Sequence, residues 1–207
     1  MQNKTTDNEA PFESTIDKEK LNDLPLFRFE GTIRLVQTDK EVEDAVAHLE
    51  KEAYLGFDTE TRPAFRKGQN YPPALLQLAG QREVYLFQLL KLTNLDPIHR
   101  LLANPQIVKT GVAIRDDIRK LREHYEFEAA GFVELSEATQ RAGIVNTGLR
   151  SLAGILLGIR ISKGAQVSNW SRADLSSSQV QYAATDAWVS RCLYEQLDKV
   201  GLLLESA

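Results

Sequence analysis

Cysteine is almost absent. Cys192 is the only one in 207 residues, which excludes an intramolecular disulfide framework and any zinc site built from several thiolates. Long apolar runs are missing too. The opening MQNKTTDNEAPFESTIDKEK holds no segment that could serve as a signal-peptide core, and nothing later approaches the ~18 apolar residues of a membrane span. These absences lead us to expect a soluble protein of the reducing cytoplasm with no membrane association. There is no basic excess either: the net charge of −4 argues against a protein that coats nucleic acid through a broad cationic surface. Much of that charge sits at the start, where residues 1–25 carry three lysines against six acids and leave a net of −1 for the rest.

Those first 25 residues have too few apolar side chains to offset their ordering entropy, so a polar, disordered tail is expected there. Residues 26–207 are expected to form one domain, since length and a 43% hydrophobic content suit a single α/β unit with no need of a disulfide or structural metal. A β-type run at Thr32–Gln37 precedes Thr38 and Asp39, which can cap a helix bearing Val42, Ala45, Val46 and Leu49 at helical spacing. A strand at Tyr54–Asp58 follows. Ala74–Ala79 and Val84–Phe87, separated by Gly80-Gln81-Arg82-Glu83, read as an antiparallel hairpin. Asn94–Ala103 is a helix candidate, and Ile107–Val112 is a strand leading through a glycine turn into a helix that ends near Tyr125. Phe132–Leu135 is a last short strand, with Ser136 capping a helix that stops near Gly143. Leu149–Leu157 reads as a helix ended by Gly158, and Ser176 or Ser177 caps a long terminal helix.

Acids fall at three marked places: FDTET at Phe57–Thr61, GVAIRDD at Gly111–Asp117 and YAATD at Tyr182–Asp186. Asp58 and Glu60 are two apart on a strand and so share one face. Tyr182 and Asp186 are four apart on a helix and share a face as well. Asp116 and Asp117 both open a helix, where the dipole tolerates an anion, and the residues alone do not choose between them. Each piece has an ordinary structural reading as a solvated strand end, a satisfied tyrosine or a first-turn acid. Their combination is what carries weight. Converging carboxylates repel one another unless cations neutralise them, and hard oxygen donors favour magnesium or manganese. Two such ions could hold a scissile phosphate and activate water, with Tyr182 orienting that water.

At these residues the chain resembles the tyrosine-type DEDD superfamily of 3′–5′ exonucleases, within its ribonuclease D and Werner-syndrome-exonuclease group. ALLQLA at Ala74–Ala79 and SNWSRADLSSSQVQYAATDA at Ser168–Ala187 are similar to that group's segments, and the likeness runs from about Thr32 to the C-terminus. The resemblance implies a ribonuclease H-like fold, a mixed central sheet with one antiparallel strand and flanking helices. It implies Asp58, Glu60, Asp117, Tyr182 and Asp186 as catalytic residues, and selects Asp117 over Asp116. Asp58, Glu60 and Asp186 would bind one divalent cation, and Asp58 with Asp117 a second, Mg2+ or Mn2+. The substrate implied is nucleic acid with a free 3′ end, single-stranded or frayed, releasing nucleoside 5′-monophosphates. Thr59, Arg62, Gln77, Lys163, Trp170 and Arg172 are candidate substrate contacts, and Phe65, Tyr71 and Trp170 candidate stacking platforms, with core anchor of the irregular segment before the terminal helix the favoured role for Trp170. Nothing points to an obligate protein partner. The chain has no room for a further helical, helicase or polymerase domain, so a stand-alone exonuclease domain is expected. The runner-up is a nucleic-acid-binding module of the same fold that has lost catalysis.

Overall fold

The computed structural model describes residues 12–66 and 68–203 as a six-stranded mixed sheet with helices on both faces. Helix α1 (Lys18–Asp23) comes first, then β1 (Thr32–Val36), α2 (Asp39–Leu49), β2 (Tyr54–Thr61), β3 (Pro73–Ala79) and β4 (Glu83–Gln88). A short 3-10 turn at Leu89–Lys91 leads to α3 (Asp96–Ala103), β5 (Val108–Gly111), α4 (Arg115–His124), β6 (Phe132–Glu134), α5 (Leu135–Arg141), α6 (Leu149–Leu157) and α7 (Ser177–Lys199). The strand order is β1-β4-β3-β2-β5-β6. β3 runs against both of its neighbours, and every other pairing is parallel, as the expected sheet requires.

Local chemistry accounts for the element ends. Thr38 and Glu41 form a reciprocal capping box at α2, and Ser176 and Gln179 form another at α7, each satisfying backbone donors that a helix start leaves free. Gly158 ends α6 in the left-handed region at φ 65°, where a side chain would be strained. α5 differs from expectation at its cap. Glu134 is the cap in place of Ser136, its carboxylate accepting the backbone N–H of Ser136, and the helix begins two residues earlier, at Leu135.

β3 is buried along its whole length because both faces of the sheet are covered. On one face Leu55, Phe57, Leu76, Leu78 and Phe87 pack against α2, α3 and α4. On the other, Leu75, Ala79, Val84 and Leu86 meet Ala183, Ala184 and Ala187 of α7, whose small side chains let helix and sheet approach closely. A third cluster joins α5, α6 and the second half of α7 through Leu135, Leu152, Leu156, Val189 and Leu193.

The expectation of a tail without structure through residue 25 fails from Phe12 onward, while residues 1–11 lie outside the described residues. Phe12 packs on the α5–α7 cluster, Leu21 is buried, and Ile16 N–H donates to Asn146 Oδ1 at 3.0 Å. Leu26 bridges to Arg160 in parallel fashion. Few apolar residues suffice because each meets a preformed surface of α6, which composition alone does not reveal. Among the described residues no helix is long and apolar enough to cross a membrane.

Candidate active site

Strand pleating turns Asp58 and Glu60 toward the face of β2 that α7 covers. Gly56, two residues earlier on that face, is where strand and helix touch: a Cβ there would lie 1.9 Å from the Ala187 carbonyl oxygen. The missing side chain lets α7 settle onto β2, and Asp186, next to Ala187, comes down onto the two strand acids. One oxygen from each of Asp58, Glu60 and Asp186 lies within 4.8 Å of the others. β2 continues to Thr61, past the predicted end at Asp58, so Glu60 is fixed by sheet pairing until a register shift between Glu60 and Thr61 breaks it.

Asp117 lies outside that trio, on α4 across the sheet. Thr59, which points away from Asp58, reaches it: Thr59 Oγ1 donates to Asp117 Oδ1 at 2.5 Å. Asp116 is exposed and paired with Arg119 at 3.2 Å, so the geometry favours Asp117 as the inward acid. The turn before α4 is held from β6. Glu134 accepts from the backbone N–H of Ala113 at 2.8 Å and of Ile114 at 2.7 Å. That bidentate grip stabilises Ala113 at φ 61°, a conformation uncommon outside glycine.

Burial makes these acids reluctant to ionise. Desolvation, then repulsion from Glu60, Asp186 and Asp117, pushes Asp58 well above the usual carboxylate range. Burial followed by Asp186 and Asp117 raises Glu60 to about 9. Asp186 is pushed up to about 7 by burial, against the opposing influence of the Tyr182 hydroxyl and the Arg150 guanidinium. Asp117 is raised by burial despite its bond from Thr59. The Tyr182 phenol is also raised, chiefly by burial and then by Asp186, so it stays neutral. No ion pair among the described residues neutralises Asp58, Glu60 or Asp186. Three hard oxygen donors within 4.8 Å of one another, with no ion pair to neutralise them, suit a divalent cation.

The trio opens into a cleft of about 870 Å³ whose lining includes Thr59, Tyr182, Arg150, Lys163 and part of α1. A second cavity of about 360 Å³ meets it at Ser162, Tyr182 and Asp186. The sequence-predicted substrate contacts divide. Lys163 is exposed on the cleft, and Arg62 lies exposed over the Tyr71 ring at 4.8 Å in the loop after β2. Phe65, in the same loop, is 78% exposed. Arg172 is exposed, and its carbonyl accepts from Gln88. Thr59 is buried, with its hydroxyl engaged by Asp117.

Gln77 is corrected, and Trp170 takes its core-anchor role. Gln77 is fully buried beside Asp58, its register partner on β3. With the amide turned to satisfy its neighbours, its nitrogen donates to Ala183 O and to Asp58 Oδ2, each at 3.2 Å. It orients a carboxylate and has no open face for substrate. Trp170 is 1% exposed, in the core with Ala183 and Ala184, its ring centroid 6.1 Å from that of Tyr182. Its indole is a packing wall behind Tyr182, so it cannot stack on a base. Sequence reasoning also missed Glu134 and Arg150. The grip of Glu134 on the turn before α4 gave no local signal, because Ala113 and Ile114 are twenty or more residues away.

A family model described as 3′–5′ exonuclease matches residues 33–201. The bifunctional 3′–5′ exonuclease/ATP-dependent helicase WRN of Mus musculus is 30% identical over 197 residues, covering 90% of this chain and 14% of that protein. A ribonuclease D of Gluconacetobacter diazotrophicus is 32% identical over 177 residues, covering 82% of this chain and 44% of its own length. This chain thus spans less than half the length of either relative. Among solved structures, the Nibbler EXO domain of Aedes aegypti shares the fold with a TM-score of 0.73 at 21% identity, over 83% of this chain and 91% of that one.

Proposed function

This chain belongs to the 3′–5′ exonuclease family, and from that premise we propose that it hydrolyses phosphodiester bonds at the 3′ end of single-stranded or frayed nucleic acid, releasing nucleoside 5′-monophosphates. The observation that carries the reading is the convergence of Asp58, Glu60 and Asp186 within 4.8 Å at the floor of an open cleft. The name of the relative ribonuclease D supports RNA as one class of polymer.

In this reading Asp58, Glu60 and Asp186 hold one divalent cation and Asp58 with Asp117 a second, Mg2+ or Mn2+. When bound, such ions polarise a phosphoryl oxygen and make water a stronger nucleophile near neutral pH. The chain's own residues do the positioning. Gln77 fixes the direction of Asp58, and Thr59 and Glu134 together fix Asp117 and the start of its helix. Tyr182, a neutral phenol one helical turn from Asp186, orients the attacking water by hydrogen bonding. It does not act as the base, because burial and the acids around it hold its proton on. The water oxygen gives up a proton to solvent and bonds to phosphorus as the bond to the upstream 3′-oxygen breaks, and that oxygen takes a proton from solvent.

The test is digestion of matched, 5′-labelled single-stranded DNA and RNA with magnesium, manganese or excess chelator, with Asp58→Ala as control. A metal-dependent ladder shortening from the 3′ end, absent in the variant, is expected. Retained activity in Asp58→Ala would overturn the site, and no cleavage of either polymer with binding retained would favour a non-catalytic binding module.

A further inference from the structure

One side of the catalytic cleft is built by a part of the chain that the family model does not reach. The match begins at residue 33, yet Ile16, Lys18, Leu21 and Asn22 of the segment around α1 line the same cleft as Asp58, Glu60 and Asp186. This wall is anchored along its length. Val145 N–H donates to Ser14 O at 2.7 Å, Arg160 Nε donates to Leu24 O at 2.8 Å, and Phe27 N–H donates to Arg160 O at 2.8 Å. Its apolar side lies on Gly154 in the middle of α6. A Cβ at Gly154 would meet Leu21 Cδ1 at 2.7 Å and Ile16 Cδ1 at 2.9 Å, so α1 and the segment before it seat their methyl groups in a notch at Gly154 that a larger side chain would have to displace.

The charges of the wall are divided by use. Asp17 caps its own helix by accepting from Lys20 N–H, and Lys20 is held by Glu13 at 2.5 Å. Lys18 has no ion-pair partner among the described residues, and it is exposed on the cleft. Two further cations share the lining. Lys163 is exposed, and Arg150 is pinned through Nε by the Ile161 carbonyl at 3.0 Å, its terminal nitrogens having no hydrogen-bond partner among the described residues. Acids at the floor with cations along the walls match a phosphodiester chain whose terminal phosphate lies at the acids and whose next phosphates follow the walls.

We infer that α1 is a polymer-binding wall: Lys18, together with Arg150 and Lys163, takes backbone phosphates of the strand upstream of the scissile bond, and the wall makes this chain prefer a polymer over a single nucleotide ester. The inference rests on the exonuclease reading of the cleft, and the measurements separate the two. The p-nitrophenyl ester of thymidine 5′-monophosphate has no upstream strand, so it reports the chemical centre alone. Gly154→Val should push α1 outward from behind without touching the acids, raising KM for a labelled single-stranded oligonucleotide by about tenfold, a loss of ~1.4 kcal/mol in binding, while ester hydrolysis is maintained. Lys18→Glu leaves the Gly154 notch intact. It should weaken oligonucleotide binding in chelator, read by fluorescence anisotropy, and lower the salt slope of that binding by about one unit. Unchanged oligonucleotide KM in Gly154→Val together with unchanged affinity and salt slope in Lys18→Glu would overturn the wall. Failure of the unaltered protein to hydrolyse either substrate would overturn the catalytic reading, while the anisotropy comparison would still decide the wall.

Discussion

Neutralising one buried acid should flatten the pH dependence of stability in the metal-free protein, and Asp186→Asn is the cleanest perturbation because it keeps the side chain's shape. Asp186 is 5% exposed, and burial pushes it up to about 7 from a model-peptide value of 3.8. A carboxylate raised on folding keeps a proton in the folded state that the unfolded chain has already released. Its contribution to stability is therefore full at low pH, declines above about 4, and is lost as pH rises through the folded value. Between pH 5 and 8 this single group accounts for about 3 kcal/mol, at ~1.4 kcal/mol per unit. Asp186 is counted alone because its own rise comes from burial, and its repulsion of Glu60 is already carried by Glu60. The window stops at 8 because burial lowers Lys109 to about 8, and that group regains stability above it. For a domain of this size the loss corresponds to a fall of about 6–12 °C in Tm. Thermal unfolding in chelator from pH 5 to 8 should show the unaltered protein losing that much relative to Asp186→Asn, and manganese should restore it at pH 8. Parallel melting curves for the two proteins across the window would refute the reasoning.

Tyr182→Phe should lower kcat by about 10²–10⁴-fold while leaving metal affinity by calorimetry unchanged, since the phenol positions water; a large loss of metal binding would contradict that role. Gly56→Ala would drive a methyl into the Ala187 carbonyl, so α7 must lift from β2. A destabilisation of about 1–3 kcal/mol by denaturant unfolding and loss of nuclease turnover are expected. Glu134→Gln can accept only one of the two backbone N–H groups before α4. A loss of about 1–3 kcal/mol and a lower apparent metal affinity should follow, whereas unchanged affinity would remove Glu134 from the support of Asp117. Gln77→Leu keeps volume but leaves Asp58 Oδ2 and Ala183 O without their donor, and kcat should fall with KM for substrate nearly constant.

Much of this protein was legible because its signals are local. Asp58 and Glu60 share a strand face and Tyr182 and Asp186 a helix face through period alone, and Thr38, Gly158 and Ser176 mark element ends by the hydrogen bonds and torsions they permit. The antiparallel β3–β4 pairing followed from two apolar runs around a short polar turn. The sequence by itself determined which acids are candidates, which elements carry them and that no thiolate site competes. It did not determine whether those acids meet. That required the absent side chain of Gly56 to let α7 descend, an approach between residues over a hundred positions apart. Likewise Gln77 looked available for substrate until the sheet buried it, and Trp170 was open between base platform and core anchor until the α7 packing buried it. Residues 12–25 looked like part of a tail until a notch at Gly154 gave their few apolar residues a surface to cover. Period and capping act within a turn or a strand, whereas burial and convergence are set by long-range packing, and only the tertiary structure decides those.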